Sequence, residues 1–252
     1  MPLTSVFLIW ACLCCVLWSP AQSRAQELII CGDDGYPPYS YIENGKPAGI
    51  YVDILNSILK NMEGYDVKII VRPWKRALAL AEQKEVFAIF PPYFRPASRP
   101  WLPHYSEPIL KEDYSVVCKK DVFADSPRNN WPDDYRDLSH GINYGFAVPG
   151  LHGMKYEEAR NGLVNLKKVL HGRVDCYIND SKAIVFYLQQ IGADASLLQF
   201  GAKISSEYGF LATTAARDES FNKAFLKQFD LHLRRLRASG ELDFIIRSHF
   251  IR

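Results

Sequence analysis

The stretch Glu27–Pro73, ELIICGDDGYPPYSYIENGKPAGIYVDILNSILKNMEGYDVKIIVRP, holds a complete strand, helix, strand sequence within one segment. ELIICG is a continuous apolar run of strand length, and the Gly- and Pro-rich residues after it read as turns. In IYVDILNSILKNM, Val52, Leu55, Ile58 and Leu59 recur at helical spacing, and YDVKIIVRP returns as a second strand. Strands separated by a helix of that length pair in parallel, which places the chain in the α/β class.

The same order continues outward. WKRALALAEQK predicts a helix and EVFAIF a third strand. Further on, INYGFAV reads as a strand ending at Pro149-Gly150, and MKYEEARNG is expected to be helical. GLVNLKKVLHG is a helix stopped at Gly172, and RVDCYI is a strand running into the helix of NDSKAIVFYLQQIG. Two regions thus share a helix, strand, polar-loop order, ending at Arg99 and at Asp180. Loops beyond the carboxyl ends of parallel strands are where such sheets hold ligands, so Arg99 is expected to face Asp180 across a cleft.

Composition excludes several classes. Among 252 residues, 30 Lys and Arg stand against 28 Asp and Glu, with no basic cluster or basic amphipathic helix, so nucleic acid is not an expected partner. The opening MPLTSVFLIWACLCCVLWSPAQSRAQE reads as an export signal over residues 1–25: an apolar run from Val6 to Trp18, the Pro20 break, and small residues at Ser23 and Ala25. The mature chain is then expected to be periplasmic and to retain Cys31, Cys118 and Cys176. Three cysteines allow at most one internal disulfide and leave one thiol over, but each lies in an apolar strand-like run, so each is expected to serve as a buried small hydrophobe. The six histidines lack short metal-ligand spacings, and neither metal nor cofactor is expected.

FPPYFRPASRPWLPHYSEPI, Phe90–Ile109, sets Arg95 and Arg99 among aromatics and prolines, with no acidic residue before Glu107. Together with GYPPYSYIENGKPAGIYVDILNSI and LHGRVDCYINDSKAIVFYL, its RPASRPWLPHYSEPI resembles blocks of the bacterial extracellular solute-binding proteins of family 3, the polar-amino-acid binding class. The resemblance covers nearly all of the mature chain. It implies two Rossmann-like lobes joined by two hinge strands and closing on a small ligand: 26–113 with 207–252 as the first lobe, 114–206 as the second. It puts Arg99 on a ligand carboxylate and Asp180 on an α-ammonium, with Asp33 toward the ligand side chain and Tyr36 as an aromatic wall. A guanidinium fork suits a carboxylate independently of any family. Arg95 reads as structural or solvent-facing, and Asp180 has a second reading as the cap of a helix beginning at Ser181.

Departures from the family pattern carry information too. Pro91-Pro92-Tyr93-Phe94 replaces small residues and threonines before the arginine, and proline has no N–H to donate. Tyr93 and Phe94 therefore predict a pocket richer in rings and poorer in donors. VPGLHG replaces the usual loop of the second lobe, where Gly150 and His152 are expected at the ligand and a following helix N-terminus would favour an anion. The resemblance implies a monomeric binding protein that captures an amino-acid-like or carboxylate ligand for an inner-membrane permease or a sensor. A dehydratase-like enzyme on the same scaffold is the alternative, with Asp33, Glu43, Glu107 or His152 as its acid or base.

Overall fold

The computed structural model describes residues 27–125 and 127–250; the expected export signal and its cleavage site lie outside them. The first strand, β1 (Leu28–Asp33), leads into a small antiparallel sheet of β2 (Gly35–Tyr36), β3 (Ser40–Glu43) and β4 (Lys46–Ala48). Helix α1 (Ile50–Leu59), β5 (Val67–Arg72), α2 (Trp74–Glu82), β6 (Ala88–Phe90) and β7 (His104–Tyr105) follow. A long strand, β8 (Leu110–Lys119), opens the second lobe, which continues as β9 (Ser139–Asn143), β10 (Lys155–Ala159), α3 (Gly162–Leu170), β11 (Cys176–Asp180) and α4 (Ser181–Gln190). The equally long β12 (Leu198–Gly209) returns, and β13 (Ala212–Thr213), α5 (Glu219–Ala238) and α6 (Glu241–Ser248) complete the chain.

Two five-stranded sheets result, ordered β5-β1-β6-β13-β7 and β10-β9-β11-β8-β12. β1 pairs in parallel with β5 and β6, and β9 with β10 and β11, as strand and helix alternation requires. The late strands β12 and β13 add antiparallel pairs. β8 and β12 run antiparallel from Leu110↔Gly209 to Lys119↔Leu198, so the two connections between lobes form one ribbon.

Side-chain periodicity explains which faces are buried. Ile54, Leu55 and Ile58 of α1 share a core with Leu28 and Ile30 of β1 and with Phe225, Phe229 and Leu233 of α5. The C-terminal helix thereby packs on the lobe that contains the first strand. Gly49, at the start of α1, has φ 115°, and a Cβ there would collide with the Tyr39 carbonyl, so only glycine fits this entry. Asn161 caps α3 by accepting from Val164 N at 3.1 Å, and Asp218 caps α5 by accepting from Phe221 N at 2.8 Å.

Residues 155–159 correct one expectation. MKYEEARNG is not helical; its centre is β10, an edge strand registered on β9 from Lys155↔Ser139 to Ala159↔Asn143. Lys155, Tyr156 and Glu158 are exposed and Glu157 half-buried, as at a sheet edge with no buried face to set a period, and the helix waits for the Asn161 cap. Consequently no helix N-terminus follows Gly150 and His152. The cysteines correct a second expectation in part: Cys118 on β8 faces Cys176 on β11, and the two form a disulfide, leaving Cys31 a buried free thiol. No helix among the described residues is long and apolar enough to cross a membrane.

Candidate functional site

A cavity opens where the two lobes meet, with about 420 Å³ of empty space, mouth included. Asp33, at the carboxyl end of β1, and Tyr36 form one side, with Trp74 at the first turn of α2. Tyr93, Arg95 and Arg99 enter from the loop after β6, and Tyr114 and Phe146 face them from the second lobe. Phe146 makes an edge contact with Tyr36 at 5.7 Å between ring centroids, so the lobes touch through the wall of the cavity itself.

The two arginines of the loop have different surroundings. Arg95 is ion-paired with Glu207 on the returning ribbon strand at 2.9 Å. Arg99 has no carboxylate partner among the described residues; its guanidinium lies over the Trp74 ring at 5.8 Å, and burial pulls its pKa down. A desolvated cation in a cavity without its own counter-charge is poised for an anion. Asp33 is the cavity's only carboxylate. It is 4 % exposed and accepts from Gly35 N at 3.0 Å, and burial pushes its carboxyl up to about 7.

Of the eight residues expected at a ligand, Arg99, Asp33, Tyr36 and Tyr93 line this cavity. The other four do not. Phe94 is turned to the outer surface against Tyr105 and Phe210, and His152 is exposed. Gly150 takes φ 78° in a loop packed on Trp131 and Pro132. Asp180 is buried as the cap of α4: one oxygen accepts from Lys182 N, Ala183 N and the Tyr39 hydroxyl, the other from Asp113 N. The expected opposition of Arg99 and Asp180 across an open cleft is therefore not formed, because Tyr39 and the α4 backbone already occupy that carboxylate.

One constellation escaped the sequence reading. Glu112, on the ribbon strand β8 and fully buried, accepts hydroxyls from Tyr36 at 2.5 Å, Tyr93 at 2.6 Å and Tyr51. Burial, with the nearby Asp180 charge, pushes its carboxyl up to about 7 against the pull of those three donors. Two of the three tyrosines are cavity walls, so Glu112 sets their orientation from behind. The available signal was parity: Glu112 shares its face of β8 with Leu110, Tyr114, Val116 and Cys118, all buried.

Two lobes, a paired-strand connection and a cavity between them define a two-lobed binding protein of the periplasmic type. The chain belongs to the bacterial extracellular solute-binding proteins, family 3, whose model matches residues 28–252. No curated protein matches it in sequence. Among solved structures it is similar to the arginine-, lysine-, histidine-binding protein ArtJ from Geobacillus stearothermophilus, with 20 % identity over 90 % of this chain and 96 % of that one and a TM-score of 0.72. A histidine kinase sensor domain with similarity to periplasmic binding proteins is 18 % identical over 89 % and 96 %, TM-score 0.74. AncCDT-1, an ancestral amino acid-binding protein and precursor of cyclohexadienyl dehydratase, is 18 % identical over 89 % and 95 %, TM-score 0.71. At such identities the likeness is one of fold.

Proposed function

We propose that the protein is an exported solute-binding protein that captures a small carboxylate in the interlobe cavity and delivers it to an inner-membrane permease. The observation that carries this reading is Arg99, a desolvated guanidinium facing the cavity with no protein carboxylate to neutralise it. Arg99 anchors the ligand carboxylate through its two-pronged donor face, while Arg95, held by Glu207, contributes positive field. Interlobe bonds, Tyr187 hydroxyl to Gly35 carbonyl at 2.7 Å and Tyr39 hydroxyl to Asp180 at 2.9 Å, support closure over an occupant.

Native mass spectrometry of protein purified without unfolding, followed by denaturation and identification of what is released, tests the reading. The expected result is a small carboxylate in wild type and its loss from Arg99→Ala. Recovery of a molecule without an acidic group, or equal retention by the variant, would remove the anchor. One observation favours catalysis as a second reading: Asp33 alone of the four nominated acids and bases lines the cavity, and a carboxyl held near 7 suits a general acid. Glu107 instead pairs with Arg234 and Arg237, while Glu43 and His152 lie exposed. A carrier returns its ligand unchanged; turnover abolished by Asp33→Asn would establish the enzyme.

A further inference from the structure

Three buried carboxylates stand at or just behind the cavity, and two of them are already held by several protein donors. Asp180, 1 % exposed, already accepts four protein hydrogen bonds, at 2.9, 2.9, 3.1 and 2.9 Å from Tyr39, Lys182, Ala183 and Asp113. Glu112, fully buried, accepts three tyrosine hydroxyls. A ligand ammonium seeking either would have to share a buried oxygen that a protein donor already holds, which weakens the gain from a new bond. Asp33 remains, but ionising it for an ammonium means creating charge where burial disfavours it.

The anionic side of the balance faces no such cost. Arg99 has no carboxylate partner among the described residues, and the cavity it enters is lined by the rings of Tyr36, Trp74, Tyr93, Tyr114 and Phe146. Rings of that kind take up another ring by offset or edge contact. Resting on the carboxylate-capture reading above, we propose that the cavity selects aromatic or cyclic carboxylates that lack a charged α-amine over the corresponding amino acids. The protein's own Tyr39 hydroxyl and Asp113 amide hold Asp180 outside the cavity lining, and Asp33, whose proton burial favours, is left to hydrogen-bond an uncharged oxygen of the ligand.

The test is calorimetric titration of the whole mature protein with 3-phenylpropanoate, phenylpyruvate and phenylalanine, which share ring and carboxylate and differ at the α-carbon. Roughly ten- to hundredfold tighter binding of at least one amine-free acid than of phenylalanine is expected. Phenylalanine binding as tightly as both amine-free acids, or tighter, overturns the inference, and loss of that binding in Asp33→Asn would name Asp33 as the ammonium site. Failure of all three compounds to bind overturns it equally, by removing the aromatic ligand class. Arg99→Ala separates this inference from its foundation: if the best-bound compound depends on Arg99 but carries the amine, only the selectivity fails. If its affinity is indifferent to Arg99, the carboxylate anchor fails as well.

Discussion

At the scale of single residues, Arg95 and Arg99 are separated by four positions and differ in what neutralises them. Arg95 has Glu207, so Arg95→Ala removes a partly exposed pair and should weaken binding little, by about 0.5 kcal/mol. Arg99→Ala removes a cation that burial disfavours and that has no carboxylate partner among the described residues, and its expected cost is about 2 to 5 kcal/mol of ligand affinity. Arg99→Lys keeps the charge and loses the fork, so it should recover only part of that. Titration of the three variants with the ligand released from wild type decides the matter, with circular dichroism to confirm folding. Equal losses for the two alanine variants would contradict it. The distinction was half legible: the loop's lack of acids up to Glu107 marked both arginines, but Glu207 lies 112 positions from Arg95 and no local pattern announces it. Asp180 teaches the same lesson in reverse. Its cap on α4 is local and could be read from NDSKA, whereas its bond to Tyr39 spans 141 positions and changes what the carboxylate has left to offer.

At the scale of elements, the helices and parallel strands were readable because burial imposes a period on them, and β10 was not, because an exposed edge imposes none. The ribbon of β8 and β12 is where most of the unreadable chemistry sits. Gly209, paired with Leu110 at the end of that ribbon, has no space for a side chain: a Cβ there would run into the Tyr51 hydroxyl and stand 3.0 Å from Glu112 Oε1. Gly209→Ala should therefore displace the tyrosine–glutamate cluster and cost about 1 to 3 kcal/mol of stability. Gly209 does not take a left-handed φ, so the loss would report the clash and not backbone strain. Equal melting temperatures for wild type and Gly209→Ala would show that the ribbon yields freely there. One register further along the second lobe, the Cys118–Cys176 disulfide closes a loop of 58 residues across β8 and β11. The chain-entropy account gives it about 4 kcal/mol, through the unfolded state. Urea unfolding with and without reductant measures this, and coincident midpoints would deny the bond a stabilising role.

For the molecule as a whole, five raised carboxyls, Asp33 and Glu112 together with Asp34, Asp180 and Asp230, make stability depend on pH in an unusual direction. Asp33 and Glu112 are each pushed from their ordinary values, 3.8 and 4.5, to about 7 in the folded chain. A folded state that binds protons more tightly than the unfolded chain loses stability as pH rises from about 4 through about 7, and the loss is complete above that. For Glu112 the shift corresponds to about 3 kcal/mol. Six carboxylates at the surface pull the other way: Asp113, Asp137, Glu157, Asp194, Asp218 and Glu219 have depressed values, but their contributions fade only below about pH 4.5. Buried His140, whose pKa is lowered, also opposes the trend, since protonating it below its ordinary 6.5 disfavours the fold. The wild-type profile is thus a sum, and the informative quantity is its difference from Glu112→Gln. Between pH 5 and pH 8 the wild type should lose more stability than the variant, which keeps an acceptor for the tyrosines and cannot ionise. The three facing hydroxyls and Asp180 are unchanged by the substitution, so the difference isolates the Glu112 proton. Urea midpoints at the two pH values measure it. Parallel profiles for the two proteins would mean that Glu112 carries the same charge folded and unfolded, and that the ribbon tolerates a buried anion beside the cavity.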